Sequence, residues 1–269
     1  MQFTRRDFLK TAGLACGAAA LPSWVLETEA AEAAAVDKHG LAELALKAAK
    51  QAGATYADIR INRYRNESIS SREQRIQRVS RSQNFGFGVR VLLNGAWGFA
   101  SSYQVTPEAV RRITGQALDI ARSNAVFQRK PIHMVSAPKV TASWRSAFKQ
   151  DPFEVPADRK IEFLLKLNEA ALKAKGASFV NSGLTFQNEQ KFYASTDGSF
   201  IDQYLVRTLP FFSVTAVNRS AGDFQSRTSL AGPRTIGYEY LEEYPWLKEA
   251  QQAGEEAVAK LGASSGPPA

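Results

Sequence analysis

Bulky and small residues alternate over residues 84–102, and this alternation predicts a β-hairpin. Between residues 85 and 91, phenylalanine and valine alternate with glycine and arginine, which is the period of a half-buried strand. Asn94-Gly95 supplies the preferred two-residue turn, because a type I′ turn needs positive φ at both central positions. The return strand, residues 96–100, again alternates bulky with small side chains.

Apolar residues spaced as i, i+3 and i+4 predict amphipathic helices, each with one face on a core. The predicted helices are residues 41–52, a segment that opens at Pro107, residues 161–175 and residues 246–261. In the second helix Thr106 precedes Pro107, which is the residue order of a helix N-cap and first turn. Its predicted buried stripe consists of Val110, Ile113, Ala117, Ile120 and Ala121.

The second half of the chain repeats the order of elements found in the first. A helix, a glycine and a strand meet at Gly53 and again at Gly176, and an Asn-Glu pair follows each, at 66–67 and 188–189. Asp197-Gly198 provides a second hairpin turn. The other expected strands are 56–65, one or two within 67–83, 191–196, 200–207, 209–218 and 224–230.

These elements predict an α+β fold, with two helix-then-antiparallel-sheet units forming one extended sheet with helices packed on it. The halves are about 34–130 and 155–262. Between them, the proline-rich residues 131–155 predict a connector with a short strand near 139–142. Residues 263–269 predict a flexible tail of serine, glycine and proline.

Residues 1–33 have the pattern of a twin-arginine export signal. The residues that carry the pattern are Arg5, Arg6, Phe8, Leu9 and Lys10. Its apolar stretch, residues 11–21, is too short to span a bilayer. We therefore expect export by the twin-arginine route to the periplasm or beyond, and no stable membrane anchor.

The chain is basic, with a formal net charge of +8 over 269 residues. The charge is dispersed, which is typical of solvated surface. Arg72, Arg75, Arg78 and Arg81 recur at every third position. A nucleic-acid site would place such arginines beside stacking aromatic residues or in a known module, and this stretch has neither. We therefore predict no nucleic-acid partner.

Histidine and cysteine are too few to predict a metal site. The two histidines, His39 and His133, are 94 positions apart, and neither belongs to a His-Glu-x-x-His motif. The single cysteine, Cys16, lies inside the export signal. Because zinc sites use several histidine, cysteine or carboxylate ligands together, we assign no catalytic residue, no metal ligand and no cofactor to this sequence.

A family resemblance rests on the predicted hairpin. The run Gly-x-Gly-Val-Arg-Val from Gly86, followed by Gly-x-Trp-Gly-Phe-Ala from Gly95, comes after a helix ending in Gly-Ala and a strand at 56–60. In this order the motifs resemble the N-terminal domain of the TldD/PmbA family (modulator of DNA gyrase, TldD-type zinc metallopeptidases). The resemblance covers roughly residues 41–261.

The resemblance implies that catalysis belongs to a domain other than the one this sequence resembles. Family members bind zinc in a C-terminal domain through a His-Glu-x-x-x-His motif and a later cysteine, and they work as paired subunits on unfolded peptides. This sequence contains no such motif. We therefore expect the catalytic domain, with its zinc, to be missing from this chain through truncation or a split gene. The catalytic half or partner subunit would then be a separate chain.

The role implied for this chain is substrate handling and assembly. An extended peptide is well held by a sheet edge or by a surface that backbone can approach closely. The candidate peptide-binding residues are Gly86, Phe87, Gly88, Arg90, Trp97 and Phe99. In a second interpretation these side chains only fill the core. The alternative function is a free-standing periplasmic peptide-binding or scaffold module without enzymatic activity.

Overall fold

The computed structural model describes residues 36–135 and 137–263. The predicted export signal and the tail beyond residue 263 lie outside these residues. The chain divides into two units, residues 1–40 and 41–269, and the sheet lies in the second.

The described helices are α1 (Lys38–Gln51), α2 (Pro107–Ala125), α3 (Ala157–Leu172), α4 (Glu239–Glu243) and α5 (Trp246–Lys260). The strands are β1 (Tyr56–Arg72), β2 (Arg75–Leu93), β3 (Ala96–Ser102), β4 (Thr141–Arg145), β5 (Ala177–Ser195), β6 (Phe200–Asn218) and β7 (Asp223–Thr228). The predicted α+β class is confirmed.

The seven strands form one sheet in the order β3-β2-β1-β5-β6-β4, with β7 also paired to β6. All neighbours are antiparallel except β4, which runs parallel to β6. Two long hairpins, β1–β2 and β5–β6, therefore lie side by side through β1 and β5. The sheet is extended and mostly antiparallel, as the sequence predicts.

Turn chemistry fixes where the elements begin and end. Asn94 and Gly95 have φ of 53° and 74°, the positive values that a type I′ turn requires. Gly53 has a φ of 87° and ends α1 in the left-handed conformation before β1. Gly176, with a φ of 104°, lies in the turn between the end of α3 at Leu172 and the start of β5 at Ala177. Thr106 caps α2 by accepting a hydrogen bond from the backbone N–H of Ala109 at 3.2 Å.

The sheet has two different faces, because directly paired residues point to the same side. The helix face carries the odd-numbered residues of β1 from Ile59 onward, many of them buried. Three helices, α2, α3 and α5, pack against this face. A core cluster on this face includes Leu164, Leu167, Phe186, Phe212, Val214 and Trp246. The opposite side, which we call the open face, carries the even-numbered residues of β1 and their partners.

Polar contacts also bind α3 to the helix face. The ammonium group of Lys160 lies 2.9 Å from Oε1 of Glu67, and both side chains are almost fully buried. Asn168 donates to the hydroxyl of Ser71 at 2.9 Å, and Ser71 in turn shares a 2.7 Å hydrogen bond with Ser182. Buried positions of β1 can therefore be polar, because polar side chains of α3 form hydrogen bonds and an ion pair with them.

Two details of the predicted elements were wrong. Ile120 is 41% exposed, and Leu118 is buried in its place on α2. The strands predicted as 200–207 and 209–218 are a single strand, β6. Proline at 210 is accommodated because Thr208 pairs outward with Arg234, which lies outside the named strands. The ring nitrogen of Pro210 therefore points to the same outer edge of β6, between the stretches that pair with β4 and β7. No strand pairs with β6 there, so the backbone N–H that proline lacks is not needed.

Candidate functional site

A groove of about 690 Å³ lies on the open face, over the strands β1, β2 and β3. Its lining combines charged, amide, hydroxyl and aromatic groups. It comprises Asp58, Arg60, Asn62, Tyr64, Asn84, Phe85, Gly86, Phe87, Gly88, Arg90, Phe99, Ser101, Ser102 and Tyr103. Such mixed lining, with few groups that can ionise and several that can donate or accept hydrogen bonds, suits an organic ligand better than an ion.

Two glycines shape one side of the groove. A Cβ on Gly88 would lie 2.8 Å from the Phe99 ring, and one on Gly86 would lie 2.9 Å from the carbonyl oxygen of Ser102. The glycines therefore let Phe99 and the chain after β3 lie close against β2. Phe99 is 58% exposed and Tyr103 is 80% exposed, so their rings present apolar surface to solvent at the groove.

A buried carboxylate organises the charged end of the groove. Both Nε and Nη2 of Arg90 donate to Oδ2 of Asp58, at 2.8 Å and 2.6 Å. Arg60 approaches the other oxygen, with Nε at 3.7 Å. Burial acts to lower the pKa of Arg90, but the hydrogen bond and charge of Asp58 outweigh it and raise that pKa. The Arg90 guanidinium also lies 4.7 Å from the Trp97 ring centroid, within cation–π range.

Two tyrosines extend this cluster. The hydroxyls of Tyr56 and Tyr193 are 2.9 Å apart. Burial of Tyr56, its hydrogen bond with Tyr193 and the charge of Asp58 raise the pKa of Tyr56. Tyr56 therefore stays a neutral phenol at physiological pH. It also packs edge-on against Trp97, with ring centroids 5.8 Å apart.

A second buried carboxylate lies further along the open face. Glu189 of β5 pairs with Lys191 at 2.9 Å and with Arg207 of β6 at 3.0 Å. Burial acts to raise the pKa of Glu189, but the hydrogen bonds from Lys191 and Arg207 outweigh it, and the net pKa is lowered. Lys191 and Arg207 therefore hold Glu189 in its ionised form.

The candidate residues from the sequence divide between the two faces. Gly86, Phe87, Gly88, Arg90 and Phe99 line the groove, and Trp97 lies beside it under Arg90. The side chain of Phe87 is buried and follows the register of the helix face, opposite Ile61. These placements do not test peptide binding, which stays a prediction for all six residues.

Gly98 makes room for a helix, whereas the glycines of the hairpin were proposed to let a peptide approach closely. A Cβ there would lie 1.9 Å from the carbonyl oxygen of Ala117, so its space is filled by α2 and not by a ligand. The sequence interpretation missed Asp58, Arg60, Asn62 and Tyr64. They belong to the predicted strand 56–65, and only its pairing with β2 shows that they share a surface with the hairpin.

The described residues do not fit a zinc site. Within residues 36–135 and 137–263, no group of three or more histidine, cysteine, aspartate or glutamate residues is arranged to hold a metal ion. His39 and His133 are both exposed. In the same part of the chain, no helix has the length and apolar content needed to cross a bilayer.

Three regions of the sequence match known families. Residues 57–121 match the PmbA/TldA metallopeptidase domain 1, and residues 150–263 match the PmbA/TldA metallopeptidase central domain. Residues 2–22 match the signal sequence of the twin-arginine translocation pathway. The last match supports export by that route, as the arginine pair predicts.

Two archaeal relatives cover most of this chain. A metalloprotease from Methanothermobacter thermautotrophicus is 31% identical over 214 residues, which are 79% of this chain and 44% of the relative. A metalloprotease from Methanocaldococcus jannaschii is 24% identical over 214 residues, 79% of this chain and 46% of the relative. The chain thus spans about half the length of the curated relatives it matches.

Solved structures share the fold. A modulator of DNA gyrase from Thermotoga maritima superposes with a TM-score of 0.65 at 16% identity, over 83% of this chain and 48% of the other. TldE from Thermococcus kodakarensis gives a TM-score of 0.53 at 17% identity, over 79% and 46% of the two chains.

The helix-backed sheet thus shares its fold with about half of the Thermotoga maritima and Thermococcus kodakarensis chains. From its domain 1 and central-domain matches, the chain belongs to the PmbA/TldD metallopeptidase family.

Proposed function

We propose that this chain is the substrate-handling and assembly part of an exported TldD-like zinc metallopeptidase that acts on unfolded peptides. Peptides bind in the groove on the open face, and the protein works in the periplasm or outside the cell. The catalytic zinc ligands come from polypeptide other than these 269 residues, as part of a paired subunit or of a catalytic half. The match to the metallopeptidase domains supports the family chemistry.

The observation that carries the proposal is the composition of the groove. Phe99 and Tyr103 offer exposed rings for apolar side chains, while Asn62 offers an unused polar group. Oδ1 of Asn62 is buried and accepts no hydrogen bond within the described chain. A buried acceptor without a donor costs free energy. A peptide N–H is a donor that would satisfy it once the Asn62 side chain turns this oxygen toward the groove.

The test replaces the exposed rings of the groove and measures peptide affinity. We expect the double variant Phe99→Ser, Tyr103→Ser to bind a fluorescent unfolded peptide about tenfold more weakly by anisotropy, because buried aromatic contacts carry much of the energy of an interface. Phe127→Ser is the matched control, since this ring is 84% exposed just beyond α2 and outside the groove.

Circular dichroism must show that all variants remain folded. Unchanged affinity of the folded double variant would place the peptide elsewhere. A wild-type protein that binds no unfolded peptide would contradict the proposal as a whole.

A further inference from the structure

We infer that the open face selects peptide segments rich in aspartate and glutamate. This inference rests on the proposed function, because it names the class of peptide that the groove and its surroundings recognise. It is carried by the distribution of charge over the two faces of the sheet, which the strand register fixes.

The open face of the described strands is strongly basic. Its register positions hold seven basic residues and only two acidic ones. The basic residues are Arg60, Arg72, Arg75, Arg78, Arg90, Lys191 and Arg207. The acidic residues are Asp58 and Glu189, and both are buried. The remaining acidic residues of these strands, Glu67, Asp202 and Asp223, have register positions on the helix face.

Each buried acid holds two cations whose outer surfaces are exposed. The side chain of Asp58 is 3% exposed, while those of Arg60 and Arg90 are 56% and 39% exposed. Glu189 is likewise covered by Lys191 and Arg207. One carboxylate cancels one positive charge, so each centre keeps an excess positive charge. The acids also fix the orientation of the cations, which lowers the entropy cost when a ligand binds them.

The two centres lie on neighbouring strands, at different positions along the strand direction. Asn62 pairs with Lys191, and Tyr64 pairs with Glu189, while Asp58 lies six residues before Tyr64 along β1. Six residues of strand span about 20 Å. An extended peptide lying along β1 would therefore reach both centres with carboxylates separated by about six residues.

Carboxylates fit this arrangement better than amides do. Guanidinium groups bind carboxylates through two parallel, charge-assisted hydrogen bonds, which are stronger than neutral ones. A basic segment would meet like charges at both centres and would be rejected. The cations of the open face therefore select peptides by charge. Phe99 and the unpaired oxygen of Asn62 contribute equally to the binding of acidic and neutral peptides.

The experiment compares two unfolded peptides of equal length, one with aspartate and glutamate and the other with asparagine and glutamine at the same positions. In about 0.1 M salt we expect the acidic peptide to bind about tenfold tighter by fluorescence anisotropy. In about 1 M salt the difference should nearly vanish, because screening acts on exposed charges.

Two variants test whether the preference for the acidic peptide comes from cations of the open face. Arg60→Gln and Lys191→Gln should each reduce the ratio of the two affinities by at least about threefold. Arg112→Gln is the control, because it removes the same charge from an exposed position of α2, the helix on the other face. It should leave the ratio unchanged.

The outcomes separate this inference from the proposed function. Equal binding of both peptides by the wild type, or an equal effect of Arg112→Gln and Arg60→Gln, overturns charge selection by the open face while peptide binding stands. Failure of the wild type to bind either peptide overturns the proposed function itself. Loss of preference in Arg60→Gln and Lys191→Gln alone supports the inference.

Discussion

Buried carboxylates with specific partners organise this protein at the scale of single residues. Asp58 and Glu189 hold cations on the open face, and Glu67 holds Lys160 under α3. Glu239 is different because its partners are backbone groups. Its Oε1 accepts from the N–H of Lys149 at 2.9 Å, and its Oε2 accepts from Gln150 at 3.1 Å. Glu239 thereby fixes the connector to the second half of the chain.

Replacement of this carboxylate should weaken folding in a pH-dependent way. Burial acts to raise the pKa of Glu239, but hydrogen bonds from backbone N–H groups outweigh it, so the folded-state pKa lies below the unfolded value. Its stabilisation is therefore complete above the unfolded pKa and is lost as the pH falls through the folded pKa. We expect Glu239→Gln to lower the free energy of unfolding at neutral pH by about 1–3 kcal/mol.

Urea titrations at several pH values measure this effect. The gap between the wild type and Glu239→Gln should narrow as the pH falls below about 4.3. Glu243→Gln is the control, because Glu243 pairs with Lys149 at the surface and should change stability little. A gap that is absent at neutral pH, or constant into acid, would contradict the assigned role.

At this scale the sequence predicts the conformation of turns, but it does not predict which distant charged residues pair with each other. Positive φ at Asn94-Gly95 was predictable because a two-residue turn depends only on its own residues. Asp58 and Arg90 are 32 positions apart, and Glu67 and Lys160 are 93 apart. Only the strand register and the packing of α3 bring them together, so composition and spacing could not identify them.

At the scale of elements, the sequence located most helices and strands but shortened β1. The predicted strand stops at residue 65, whereas β1 continues to Arg72. Beyond residue 65 the helix face of β1 includes Glu67 and Ser71, which are polar. The alternation of apolar and polar residues that identifies a strand is therefore lost, although the polar groups of α3 allow burial to continue.

The contact between α2 and β3 depends on the absence of a side chain at Gly98. We expect Gly98→Ala to lower the free energy of unfolding by about 1–3 kcal/mol, because its Cβ would overlap the backbone of Ala117 and displace the helix. Gly115→Ala in α2 is the same chemical change where no atom lies within 4 Å.

The control should act in the opposite direction. Gly115→Ala should raise the free energy of unfolding by about 0.5–1 kcal/mol, because alanine restricts the unfolded chain and favours helix. Thermal and urea unfolding of both variants measure the difference. Equal effects of the two substitutions would show that the close approach of α2 is not required.

At the scale of the whole molecule, the two faces of one sheet serve different purposes. The helix face buries an apolar core, and the open face carries arginines, tyrosines and a groove. The order of helices and strands predicted the architecture, because it recurs in both halves. The assignment of residues to faces needed the pairing of β1 with β5, which joins the halves and which local patterns do not encode.

The most direct test of the account locates a bound peptide on the protein. An unfolded acidic peptide carrying a photoreactive phenylalanine analogue is bound to the chain, irradiated and mapped by mass spectrometry. We predict cross-links to the groove, at Phe99, Tyr103 and the even-numbered positions of β1 from Asp58 to Tyr64. Cross-links confined to α2, α3 or α5, or none that compete with unlabelled peptide, would contradict the claim that the open face holds the substrate.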